Sequence, residues 1–259
     1  MSEKTVLVAD HGVTRILTLN RPERRNAMTP EMQLELIAAM HDAAQSSCCV
    51  VVLTGAGNAF CSGLDLTALQ AMQHKSAAEY VADAERISTL FRTLYELPKP
   101  TIAAVQGPAI AGGMGLATIC DFTLATPDAK FGYTEVRIGF VPALVSAFLT
   151  LQIGDKRARD LLLTGRLFDA PEGYRLGLVN EIVPAEQLME RAYELAKALA
   201  ANSPQSLQAT KRLLSAQHKS WLDAATDEAM RANAQARETE DFREGVAAFL
   251  EKRKPNWSE

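Results

Sequence analysis

The sequence predicts an α/β fold, with short strands alternating with helices, followed by an all-helical C-terminal region. Three observations carry this. The runs Val6 to Ala9, Thr14 to Leu19, Cys49 to Thr54, Ile102 to Val105, Phe122 to Ala125 and Val179 to Val183 are short, rich in β-branched or apolar residues, and bounded by turn residues. Several, such as Cys49-Val-Val-Val-Leu-Thr-Gly55, are almost continuously apolar, as in strands covered on both faces. From Pro184 to Lys254 these signals vanish and Ala, Leu, Glu, Lys and Arg dominate, which predicts about four helices.

Within the first part, helical patterns near residues 30–45, 77–96 and 143–163 supply the cover for the strands. Thr29-Pro30-Glu31 and Asp169-Ala-Pro-Glu172 each place a capping side chain before a proline in the first helical turn. Pro98 and Pro100 close the helix before the next strand. The 20 residues from Thr101 to Cys120 carry no charge, enough to span a bilayer. Gln106, Pro108 and the glycines at 107, 112, 113 and 115 interrupt them, so the expectation is a strand, a turn and a short buried helix. We divide the chain into a core, 1–202, and a helical region, 203–259.

The bulk numbers narrow the function. At 259 residues, 47% hydrophobic and 22% charged, the chain has the composition of a globular protein of one large domain with an appendage. A net charge of -4 gives no basic excess for nucleic acid. Cys48, Cys49, Cys61 and Cys120 form no CxxC pattern and read as reduced thiols. The opening MSEKTVLVAD has no apolar run before a small-residue cleavage site, so the expected location is the cytoplasm. His11, His41 and His218 have no metal-ligand spacing, and no metal is expected.

Three segments suggest chemistry. In Phe60-Cys-Ser-Gly-Leu-Asp65 the glycine permits an unusual backbone conformation that turns the Leu64 N–H outward. The plainer reading is a turn into a helix with Asp65 as local acceptor. In the stretch Pro100 to Asp121, a strand and turn lead into Gly112-Gly113-Met-Gly115, a helix start whose first N–H groups lack intrahelical partners. Such groups suit a developing oxyanion; equally, the glycines permit tight packing. In Lys130-Phe-Gly-Tyr-Thr-Glu135-Val-Arg-Ile-Gly-Phe-Val-Pro142, desolvation of Glu135 raises its pKa and fits it for proton exchange near neutrality. A salt bridge to Arg137 or Lys130 is the alternative.

In this order and spacing, the three segments resemble the crotonase (enoyl-CoA hydratase/isomerase) superfamily. The likeness runs from Asn20-Arg-Pro-Glu-Arg-Arg-Asn-Ala27 through Leu163-Thr-Gly165 and Gly177-Leu-Val-Asn180 to the ending Glu240 to Lys254. The resemblance implies a spiral of ββα units with C-terminal helices that assemble homotrimers, often paired as hexamers. It implies an acyl-CoA substrate and no cofactor beyond the coenzyme A that the substrate carries. Backbone N–H groups of Leu64 and Gly112 are the implied oxyanion hole, with Glu135 as acid/base. Arg24 and Arg25 are implied for the CoA phosphates and Lys252 for a neighbouring subunit's ligand. Ser62, Asp65, Leu66, Gly113, Thr134, Pro142 and Ala143 are implied around the acyl thioester. The loop after Leu66, with His74 and Lys75, is read as a cover over the acyl chain.

The sequence departs from the superfamily's two-glutamate hydratases. Gly115 stands where one glutamate is expected, and Ala143-Leu-Val-Ser-Ala147 replaces a Gly-rich stretch. Hydration and double-bond isomerisation, both with Glu135 alone, therefore remain open, as does a non-catalytic acyl-CoA-binding protein. The pattern around Gly115 and Glu135 also resembles a hydratase branch that acts on branched or carboxylated enoyl-CoAs, and hydration is the reading preferred.

Overall fold

The valine-rich strands pair as their alternation requires. The computed structural model describes residues 4–72 and 75–257. Strands β1 (Val6–His11) and β2 (Thr14–Leu19) form an antiparallel hairpin, which turns at Gly12 with φ 58°. After helix α1 (Pro30–Gln45), strand β3 (Val50–Gly55) lies parallel to β2, with Ile16 opposite Val52. The helices α2 (Leu66–Ala71) and α3 (Ala77–Tyr95) follow, and β4 (Thr101–Val105) adds parallel to β3. The segment after Leu66, read from the sequence as a cover over the acyl chain, begins with α2; its His74 lies outside the described residues.

Next come β5 (Ala109–Ile110), α4 (Gly112–Ile119), β6 (Phe122–Ala125) and β7 (Lys130–Gly132), then a 3-10 helix at Glu135–Ile138. Helices α5 (Ala143–Ile153) and α6 (Asp155–Thr164) replace the single helix expected there, because Gly154 at φ 77° breaks it. The core ends with β8 (Phe168–Asp169), α7 (Ala170–Leu176), β9 (Glu181–Ile182) and α8 (Leu188–Ala200). Six strands form one sheet in the order β1-β2-β3-β4-β6-β9; β5, β7 and β8 form a second. Alternation on β3 divides the cover of the larger sheet. Val50 and Val52 pack towards Leu188, Ala192 and Ala196 of α8, while Val51 and Leu53 join the larger core with α1, α3 and α4.

From Pro184 to Lys254, where about four helices are expected, the described residues form a 3-10 helix at Ala185–Gln187 and three α-helices, α8 and two more. A proline opens α9 (Pro204–Ala236), and no Gly or Pro occurs within it thereafter, so it continues for 33 residues. It packs back on the core, where Arg92 of α3 pairs with Asp223 at 2.6 Å. Helix α10 (Glu240–Leu250) then folds over the 3-10 helix of its own chain, with Phe242 and Phe140 4.8 Å apart between ring centroids. The fit is close: a Cβ on Gly139 would lie 2.2 Å from the Asp241 carbonyl oxygen, and one on Gly245 2.2 Å from that of Ile138. Leu213, Leu214 and Trp221 of α9 remain exposed. Among the described residues, no helix is long and apolar enough to cross a membrane.

Candidate active site

The site begins with a buried asparagine. Asn26, at φ 55°, accepts a hydrogen bond from the Arg21 N–H and donates to the Ala56 and Ala59 carbonyls at 2.9 and 2.8 Å. This fixes the loop that carries Arg25, whose carbonyl accepts from the Ser62 N–H at 3.0 Å. Met28 N–H donates to Gly63 and Asp65 N–H donates to Met28, which uses the backbone groups on both sides of Leu64. Among the described residues, the Leu64 N–H itself donates to nothing.

A second turn meets the first. Gly63, at φ 89°, is so close to it that a Cβ would stand 2.9 Å from the Ala111 Cβ and 3.6 Å from the Gly112 nitrogen. Ala111 takes φ 53° and ψ -127°, a region that disfavours any side chain, and is held there by its N–H on the Gly132 carbonyl at 2.7 Å. Gly112 is then the first helical residue, and among the described residues its N–H also lacks an acceptor. Leu64 and Gly112 both line one cavity of about 240 Å³. Their N–H groups can stabilise a negative oxygen with little reorganisation.

Glu135 lies in the same wall, at the start of the 3-10 helix. It is 8% exposed, and its Oε2 has no hydrogen-bond partner among the described residues. Burial pushes its carboxyl up to about 7, against a smaller opposing effect of its own backbone N–H. No ion pair with Arg137 or Lys130 forms among the described residues, so that alternative is not realised. A carboxyl of this kind can take or give a proton near neutrality.

The vacancy expected at Gly115 is filled. A Cβ there would meet Val145 Cγ1 at 2.6 Å and Phe91 Cζ at 3.2 Å. The two departures noted in the sequence, glycine at 115 and the bulkier stretch after Pro142, are therefore one packing arrangement. Val145 and Phe91 occupy the space a longer side chain would need.

Of the other residues predicted for the site, Arg25, Ser62, Leu66, Thr134, Pro142 and Ala143 line the cavity. Four do not. Arg24 is exposed beside it. The Asp65 carboxylate caps α2 through the Thr67 and Ala68 N–H groups and pairs with Arg21 at 2.9 Å, the plainer of its two readings. Gly113 lets α4 pack closely, since a Cβ would lie 2.2 Å from the Cys61 carbonyl oxygen. Lys252 is exposed just beyond α10. Conversely, Met28, Ile87, Phe91, Asn233 and Phe249 line the cavity without having been anticipated. A position on an amphipathic helix carries no local mark of which cavity it will face.

The family model for enoyl-CoA hydratase/isomerase matches residues 9–259. A Thermus thermophilus protein that bears the name of an enoyl-CoA hydratase is 47% identical over 96% of this chain and 98% of its own. The enoyl-CoA hydratase EchA19 of Mycobacterium tuberculosis is 38% identical over 97% of this chain and 95% of its own. Among solved structures, an enoyl-CoA hydratase/isomerase from Xanthobacter autotrophicus Py2 superposes with a TM-score of 0.89 at 31% identity, covering 97% of this chain and 98% of that one. With its largely parallel sheet and second small sheet, its two turns meeting at Gly63 and Gly112, and a match over nearly its whole length, the chain belongs to the enoyl-CoA hydratase/isomerase family of the crotonase superfamily.

Proposed function

We propose that the cavity hydrates the 2,3 double bond of an enoyl-CoA. The observation that carries this reading is the buried Glu135 oxygen, unpartnered among the described residues, in the same cavity wall as the Leu64 and Gly112 N–H groups. The thioester carbonyl oxygen accepts from both N–H groups. Glu135 takes a proton from water as the water oxygen bonds to C3, and the electrons of the double bond move onto the thioester as an enolate. The same proton then passes from Glu135 to C2, so water has added across the bond and the carboxylate is restored. Hydratase names among relatives at 47% and 38% identity support hydration.

Double-bond isomerisation is the second reading, favoured by the filled space at Gly115. A single carboxyl suffices to carry a proton between C2 and C4. Arg25 in the wall and Arg24 beside it supply cations for the CoA phosphates. No cofactor beyond the substrate's own coenzyme A takes part. We assign residues 203–259 to oligomerisation, with Leu213, Leu214 and Trp221 as apolar surface for a homotrimer or hexamer and Lys252 reaching a neighbouring subunit's ligand. The four thiols are free, in keeping with a cytoplasmic location.

The test follows crotonyl-CoA hydration and 3-enoyl-CoA isomerisation separately, in the parent and in Glu135→Gln. Hydration is expected to exceed migration and to collapse in the variant. Migration without hydration selects the second reading, and equal activity in Glu135→Gln removes Glu135 from either.

A further inference from the structure

The Leu64 N–H belongs to the backbone, so its direction is set by whatever holds the residues on either side of it. Residues Met28 and Leu64 meet in an isolated parallel bridge: the Met28 N–H donates to the Gly63 carbonyl at 2.7 Å, and the Asp65 N–H donates to the Met28 carbonyl at 3.0 Å. A bridge of two bonds has no further rungs to resist twisting, and a donor that points away from its acceptor weakens steeply. One side chain spans this bridge. Arg21 Nη1 donates to the Ala27 carbonyl at 2.6 Å, just before Met28, and to Asp65 Oδ2 at 2.9 Å, just after Leu64. The same nitrogen therefore ties together the two segments that the bridge joins. The base of the arginine is held as well: its N–H donates to the Asn26 side chain at 2.9 Å, and its carbonyl accepts from the Asn26 N–H at 2.9 Å. Arg21 itself lies outside the cavity wall.

Helix capping does not account for the pair. Asp65 caps α2 with Oδ1, which accepts from the Thr67 and Ala68 N–H groups, while Arg21 takes the other oxygen. Asp169, the aspartate that caps α7, likewise uses Oδ1, and among the described residues no cation pairs with it. Burial opposes ionisation of Asp65, but hydrogen bonds from the Arg21 side chain and from the Ala68 and Thr67 N–H groups outweigh it and hold the carboxyl below its ordinary value. Arg21 thus faces a carboxylate at neutral pH. An ion pair with little exposure adds modest net stability, because desolvation offsets its attraction, but its charge-assisted hydrogen bonds fix geometry. Such a pair suits the alignment of a donor better than it suits the stability of a turn.

We propose that Arg21 is a positioning residue for the reaction: its guanidinium, held between the Ala27 carbonyl and the Asp65 carboxylate, keeps the Leu64 N–H directed at the thioester oxygen. The assignment rests on the reading of Leu64 and Gly112 as donors to that oxygen, and it adds a side chain that acts on the carbonyl through the backbone.

The test reads the carbonyl oxygen directly. Butyryl-CoA, isotope-labelled at its thioester carbonyl, cannot be hydrated, and its C=O stretch falls in frequency when the oxygen accepts hydrogen bonds. Infrared difference spectra of the bound thioester are compared for the parent, Arg21→Met, Arg21→Lys and Asp65→Asn, together with Kd by calorimetry and kcat for the reaction the parent catalyses. Asp65→Asn keeps an oxygen for the α2 cap but turns an NH2 towards the guanidinium, so it breaks the pair without removing the cap and serves where Arg21→Met does not fold. The parent is expected to show the fall in frequency. Arg21→Met and Asp65→Asn are expected to lose about half of it, with kcat lower by about tenfold and Kd changed by less than about threefold. Arg21→Lys, which keeps a cation able to reach Asp65, is expected to lie between them and the parent. A purely structural role would lower the unfolding midpoint of the variants and leave the carbonyl band of the folded protein where the parent has it; that result, or a parental kcat, overturns the assignment alone. Absence of any shift in the parent overturns the reading of Leu64 and Gly112 as carbonyl donors, and this assignment with it.

Discussion

On the side of the cavity proposed to hold the thioester carbonyl, the polar groups are backbone N–H groups of Leu64 and Gly112, on two turns that meet at glycine. On the proton side there is one side chain, Glu135, whose character comes from the apolar groups that surround it. The first device depends on where the backbone runs and little on side-chain identity. The second depends on one carboxyl and on its separation from water. The two sides should therefore fail differently when altered.

The largest effect is expected from Glu135→Gln, which keeps size and removes proton transfer: kcat should fall about 100- to 10,000-fold. Substrate binding should change far less, as judged by titration with a saturated acyl-CoA. On the carbonyl side, Gly113→Ala should cost about 100-fold in kcat and about 1–3 kcal/mol of stability. Its Cβ would sit 2.2 Å from a backbone oxygen of Cys61 and push the start of α4 away. Gly112→Ala is the milder control, because its Cβ would meet the movable tip of Met28 at 3.0 Å. If the two alanine variants lose activity equally, the carbonyl side is not held by the backbone in this way.

pH sharpens the contrast. Burial raises the Glu135 pKa from an ordinary 4.5 to about 7, so the native state binds that proton more tightly than the unfolded state does. The resulting stabilisation is fully present below 4.5 and is lost as pH rises through about 7. Glu135→Gln cannot ionise and should gain on the parent across that window by about 3 kcal/mol, read from urea midpoints at a series of pH values. A constant difference across the window would mean that the carboxyl is well solvated. For activity, kcat/KM should rise with pH through the same region as the base ionises.

Smaller effects follow from packing. Gly115→Ala should cost about 1–3 kcal/mol because its Cβ would lie 2.6 Å from Val145, and adding Val145→Ala should restore part of that in a double-mutant cycle. Additive costs would separate the two positions. Smallest of all, Ala111→Gly should relieve the positive φ and stabilise the chain by about 1 kcal/mol in urea titration. Activity should not rise with it, since Ala111 sets the direction of the Gly112 N–H.

Legibility in the sequence follows the same division. The glycine pairs and Glu135 lie in continuous segments whose local chemistry marks them, and the apolar strands show their burial directly. Asp65 was legible as a cap but not separable from a ligand, because a carboxylate before a helix fits both roles. Gly115 could be read as a missing glutamate, whereas the filling of its space by Val145 and Phe91 needed the packing of three helices. Asn233 on α9 and Arg237 at its C-terminal cap are four apart, an ordinary helical spacing, and Asp83, paired with Arg237, comes from a distant helix. The break at Gly154 was missed because an isolated glycine inside an apolar helical pattern is often tolerated.

The close seating of α10 on the 3-10 helix bears on the order of synthesis. The sheet, both N–H donors and Glu135 are all made before the helix that lies over that segment, and Phe249, near the chain's end, is part of the cavity wall. A nascent chain stopped before residue 240 carries the reacting groups without that cover. Closure of this wall thus waits on α10, a helix made well after the residues that it covers.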